Sequence, residues 1–162
     1  MKKYILIAIT VMTSVVFTKI SAQEQNDFLS NPKNEIKINA LYPFFAGAEL
    51  VYERYLSADI SVGTTVFAEY DPFRSFTVSP FARYYTGKQA NAGFFVEGNA
   101  LVSQKNNQFY DLENDKVAFG GGVALGYKYV TRSRWVFEAN LGGGNANSRF
   151  LMRAGLMVGR RF

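Results

Sequence analysis

The chain has 162 residues, with 18 lysines and arginines against 13 acidic residues, a formal charge of +5, and neither cysteine nor histidine. Their absence excludes Ser-His and Cys-His nucleophiles, histidine general bases, a disulfide framework and the usual zinc or copper sites. The excess positive charge lies largely at the start of the chain, so it does not argue for a nucleic-acid partner.

Met1, Lys2 and Lys3 lead into an apolar run from Tyr4 to Phe17. A short basic head and such a run read as an export signal, with cleavage expected after Ala22. The run is too short for a helix of roughly 20 residues that would cross a bilayer. No cysteine follows it, so lipid attachment is not expected. Losing residues 1–22 removes Lys2, Lys3 and Lys19 and takes the formal charge from +5 to +2. Residues 23–33 are polar, contain Pro32 and show no period, which predicts a short disordered lead-in.

From residue 34 onward the chain divides into eight segments of alternating polarity, over 34–42, 48–56, 58–70, 75–86, 91–103, 117–130, 134–142 and 150–162. A tilted strand needs about 9–11 residues to cross a bilayer, and all eight meet or nearly meet that length. None shows the period of an amphipathic helix, so essentially no helix is expected after the signal. The second, fourth and sixth connections are short, and the fifth, 103–116, is the longest. Alternating short turns and longer loops fit an up-and-down barrel with both termini on one side.

Counting in twos assigns the faces. One face carries Ile36, Ile38, Ala40 and Tyr42, then Leu50, Tyr52 and Leu56, and at the far end Phe150, Met152, Ala154, Leu156, Val158, Arg160 and Phe162. Its aromatics sort into two levels. Tyr52, Tyr84, Phe94, Tyr127, Tyr129, Trp135 and Phe162 fall near the turn side, and Tyr42, Tyr70, Phe76, Phe119 and Phe150 near the loop side. Two aromatic girdles around an aliphatic band suit an outer wall facing lipid. Arg54 and Arg160 share that wall at strand ends, where an arginine costs only about 0–1 kcal/mol.

The other face is polar. It places Glu49, Glu53, Glu97 and Glu138 with Lys37, Arg83, Lys128, Arg153 and Arg161 in one lumen. Eight strands enclose a space just wide enough for side chains to fill. Unpaired charges there would be very costly, so a plug of salt bridges is expected. Glu49 and Glu53 are four residues apart on one strand, about 13 Å, too far for a glycosidase carboxylate pair. Gly120–Gly122 and Gly142–Gly144 are not followed by Lys-Ser/Thr and open no helix, so they read as close-packing glycines rather than phosphate loops.

With these faces in hand the chain resembles the small eight-stranded barrels of the OmpA/OmpX-like class, and more narrowly the short outer-membrane barrels of Bacteroidota with a DUF3575-like pattern. The carrying stretches are Glu35 to Tyr42, Gly47 to Tyr55, Ser79 to Tyr85 and Gly93 to Gly98. The resemblance implies an all-β, eight-stranded antiparallel up-and-down transmembrane barrel over 34–162, resident in the cell outer membrane, with no established chemistry. Terminal Phe162 would serve as the assembly signal read by the barrel-assembly machinery, and outer-membrane lipid would be the standing partner. No cofactor, metal, catalytic residue or nucleic-acid partner is expected. The expected role is non-enzymatic, structural or through the outer loops, where Phe109, Tyr110, Asp111 and Glu113 form a candidate partner loop. The alternative is a narrow conduit for ions or small solutes.

Overall fold

The computed structural model of the protein describes residues 32–45, 47–70, 75–87, 89–105, 116–146 and 149–162. The signal and most of the lead-in lie outside them, as does the candidate partner loop with Phe109, Tyr110, Asp111 and Glu113. Eight strands follow one another: β1 (Asn34–Asn39), β2 (Gly47–Tyr55), β3 (Ile60–Glu69), β4 (Ser75–Tyr85), β5 (Gly93–Lys105), β6 (Lys116–Val130), β7 (Trp135–Ala146) and β8 (Arg149–Arg161). Each pairs antiparallel with the next, and β1 pairs with β8 to close a barrel. Closure gives every strand a neighbour on both sides, the requirement for crossing hydrocarbon with strands.

The chain terminus makes the seam. Asn34 and Phe162 exchange main-chain hydrogen bonds, at 3.2 Å from Asn34 N to Phe162 O and 2.9 Å from Phe162 N to Asn34 O. The Phe162 ring stands exposed on the outer wall. Hydrophobicity is inverted relative to a soluble protein. Phe94, Phe119, Val123, Leu125, Phe150 and Met152 are among the most exposed side chains, while Glu35, Lys37, Glu53, Arg83, Glu97 and Lys128 are fully buried. Among the described residues, Val51, Phe81 and Met157 form one small cluster of buried apolar side chains inside the barrel. This inversion is what alternation yields when lipid lies outside and packed polar groups lie inside.

Several strand boundaries differ from the periodicity. The first strand stops at Asn39, and the chain then makes one helical turn, α1 (Tyr42–Phe45). Tyr42 consequently leaves the outer girdle: it packs edge-on against Phe67, a lumen residue, with ring centroids 5.2 Å apart. The seventh strand runs on to Ala146, through residues that read as loop, with Gly122 opposite Gly144 and Ala124 opposite Gly142. A Cβ on Gly122 would lie 2.7 Å from the Gly143 carbonyl oxygen. Glycine lets these two strands approach, which a pattern of polarity does not record. Finally, β5 and β6 extend to Lys105 and back to Lys116.

The turn end is shut. Ala58, Ala90, Asn91 and Ala92 are buried beneath the strands. Asn91 takes a positive φ of 52° and donates its main-chain N–H to Ala58 O at 2.7 Å and its amide to Ser57 O at 2.8 Å. Asparagine tolerates this left-handed conformation better than most residues. Arg161 reaches down to Asn91 O at 2.7 Å, tying the turn to the last strand.

Packing against the lumen face predicts a contrast between two glycines. A Cβ at Gly63 would sit 2.3 Å from Tyr52 O and 2.4 Å from the Phe81 ring, whereas at Gly98 it would meet nothing within 4 Å. Gly63→Ala should therefore cost about 1–3 kcal/mol as overpacking. Gly98→Ala should leave the urea midpoint of the heat-modifiable gel band unchanged.

Candidate functional site

The lumen is a layered network of charges. Register sets it: Glu35 lies opposite Glu53 and Arg161, Arg83 opposite Glu97, and Lys128 opposite Glu138. Like charges facing each other repel, so the Glu35–Glu53 pairing requires cations between them. The two lysines supply these. Lys37 Nζ lies 2.9 Å from Glu35, 2.6 Å from Glu53 and 2.6 Å from Glu138. Lys128 Nζ lies 3.0 Å from Glu35 and 2.8 Å from Glu53, and donates to the Tyr85 hydroxyl at 2.6 Å.

Glu53 is the centre. One oxygen accepts from Lys37, Lys128 and Arg83, the other from Ser61 Oγ at 2.5 Å and the Tyr85 hydroxyl. Arg83 lies between the Phe81 and Phe95 rings, 4.5 and 4.3 Å from their centroids. Its guanidinium joins Glu53, Glu97 at 2.7 Å and Glu138 at 2.8 Å. Planar stacking with a rigid fork of donors is a task for arginine rather than lysine. Nearer the loop end, Arg153 bridges Glu49 and Glu97, and Asn39 donates to Glu49 at 2.6 Å. At the turn end, Tyr55 donates to Glu35, which also accepts from Arg161 Nε at 3.2 Å.

All nine charged residues read from alternation meet in this network. Glu35 completes it, giving five acids (Glu35, Glu49, Glu53, Glu97 and Glu138) against five bases (Lys37, Arg83, Lys128, Arg153 and Arg161). The signal for Glu35 was present, since it shares the parity of Lys37. Tyr55 and Tyr85 also stand on the lumen face, but their role as hydroxyl bridges depends on which acids reach their height.

The oxygens of Glu35, Glu53 and Glu138 lie within 4.8 Å of one another, a spacing that could hold a metal ion. The Lys37 ammonium already sits among these carboxylates, at hydrogen-bond distance from each. The arrangement therefore neutralises charge within the chain itself, and each acid is engaged by at least two cationic or hydroxyl donors or amides. Above Arg153 a cavity of about 390 Å³ opens, lined by Tyr42, Glu49, Thr65, Phe67, Leu101 and Leu151 among others. Burial, followed by the Glu49 carboxylate, raises the Tyr42 phenol above its ordinary pKa.

The model of the protein family of unknown function DUF3575 matches residues 7–151. The chain belongs to that family. No curated protein matches. Among solved structures, the N-terminal β-barrel domain of Pseudomonas aeruginosa OprF superposes with a TM-score of 0.66 at 18% identity, covering 82% of this chain and 98% of that one. The Yersinia pestis outer membrane protein Ail, in a phospholipid bilayer nanodisc, gives 0.56 at 12% identity, with 81% and 99% covered. At these identities the DUF3575 chain shares a fold with them: the closed, eight-stranded, antiparallel barrel of outer-membrane proteins.

The network makes Glu53 the most sensitive position. Glu53→Ala should cost about 3–5 kcal/mol by stranding Lys37, Lys128 and Arg83 without their shared oxygen. Adding Lys37→Met should recover part of the loss, because one orphaned charge is removed. Equilibrium unfolding in urea measures both, and an unchanged midpoint for Glu53→Ala would contradict the buried network.

Proposed function

We propose that this DUF3575 protein is a non-enzymatic, integral outer-membrane barrel whose lumen is sealed, and that it acts in membrane structure or in surface interaction through its outer loops. One observation carries the reading. Among the described residues, ten charged side chains are joined by salt bridges in the lumen, while the turn around Asn91 closes the end below them. Passage of an ion would require breaking several buried pairs at once, each costly to open.

The inverted polarity, the exposed aromatics at both rims and the fold shared with OprF and Ail support residence in the outer membrane. In that setting the closed turn end faces the periplasm and the cavity end faces outward. Phe162 then serves as the assembly signal, presented at the seam by its exchange of hydrogen bonds with Asn34. The outer loops, including the stretch with Phe109, Tyr110, Asp111 and Glu113, are the surface offered to partners.

Two measurements test this. In washed outer-membrane fractions the unboiled protein should migrate faster on SDS gels than the boiled protein. In planar bilayers the purified barrel should give no conductance steps. Stable single-channel steps from the wild-type protein would overturn the sealed lumen in favour of a narrow conduit.

A further inference from the structure

The barrel wall is incomplete at its loop end. Toward the loop end, the β1–β8 pairing that begins at Asn34 and Phe162 runs to Asn39↔Met157, with a last bond from Ala40 N to Leu156 O at 2.8 Å. β8 continues up to Arg149, paired there with β7 alone. On the other flank, Gly47, Ala48 and Glu49 of β2 pair with β3 but have no register partner in β1. The intervening chain leaves the wall as α1, which packs onto β2. Among the described residues, the outcome is a slot about one strand wide between β2 and β8.

The depth of the slot gives it meaning. Phe150 marks the loop-end rim of β8, so Met152 and Ala154 lie one and two pleats inside the wall. Because Leu156 O points toward β1, alternation aims the main-chain N–H and C=O of Ala154 and Met152 into the slot as well. Such groups, facing hydrocarbon alone, would cost several kcal/mol each, and irregular edges at membrane depth are tolerated only beside a cavity. The cavity is there. Its lining includes Tyr42 and Glu49 on one flank of the slot and Leu151, Met152 and Arg153 on the other. Leu151 has lumen parity yet is 43% exposed. Phe67 and Leu101 supply apolar lining.

We infer that the slot and cavity form a binding site for a lipid of the outer leaflet, one acyl chain lying in the cavity and its ester or amide linkage meeting the main-chain groups of Ala154 and Met152 that, among the described residues, no residue of β1 pairs. An ester carbonyl would accept from the N–H groups and an amide would also donate to a C=O, bonds an alkyl chain alone cannot make, and the charged groups lining the cavity, Glu49, Glu69 and Arg153, all have partners within the chain. The inference rests on the membrane-spanning reading above.

The test uses tryptophan as a reporter. Trp135→Phe removes the single native tryptophan. In that background Leu101→Trp reports from the cavity, and Met152→Trp from the outer wall at the slot. Each variant is folded into phosphatidylcholine vesicles with brominated acyl chains, and separately into unbrominated vesicles with acrylamide in the water. Bromine should quench Leu101→Trp about as strongly as Met152→Trp, with acrylamide reaching Leu101→Trp poorly. Failure of bromine to quench Leu101→Trp, whatever acrylamide does, overturns the inference and leaves the barrel reading intact. Failure at Met152→Trp would overturn the membrane reading as well. Thr77→Trp, on β4 across the barrel from β8, gives a second cavity reporter should Leu101→Trp not regain heat-modifiability.

Discussion

Charge that water cannot reach has to be answered by charge. In this barrel the Glu53 carboxylate, with Lys37, Lys128 and Arg83 around it, is the point on which the rest is built. Desolvating any one of these groups alone would cost several kcal/mol, so they are held only as a set. The set comes from five different strands counted with Glu138, which means that every strand register between β1 and β7 must be correct at once. A slip by one residue would turn these charges toward the lipid. The network thus contributes specificity of register more than net stability over an apolar core.

Function follows from the same constraint. On the proposed reading, a lumen filled by neutralised side chains leaves its centre to the charge network and the outer end to any surface role. There the cavity lies, lined by Tyr42, Glu49, Leu101 and Leu151 among others. The shortness of β1 and the inward turn at Tyr42 make that end different from the sealed one. The sealed barrel proposed above and a pore would be different devices, although both satisfy the same alternation.

Much of this was legible in the sequence. Period-two polarity is a local property, so faces could be counted from Phe162 back to Ile36, and the nine charged lumen residues emerged from parity alone. Glu35 belonged to the same face by the same count. What parity does not encode is where a strand ends. Tyr42 continues the alternation of Ile36 and Ile38, but it leaves the sheet and its ring packs with Phe67 on the lumen face of β3. Gly143 and Gly144, just past the seventh alternating segment, look like a loop by composition. They are strand because Gly122 and its neighbours need them small. Both features depend on a partner distant in sequence.

The sealed lumen can be tested most directly with single cysteines, which the native chain lacks. Ser61 is fully buried and hydrogen-bonded to Glu53 on the turn side of the network, whereas Thr65 of the same strand lines the outer cavity. Labelling the folded barrel in vesicles with a small water-soluble maleimide compares Ser61→Cys with the same variant unfolded in urea. A sealed lumen predicts that folded Ser61→Cys stays unlabelled over a time in which the unfolded chain reacts to completion. Labelling of the folded barrel at a rate approaching that of the unfolded chain would show a water-filled lumen and contradict the charged plug.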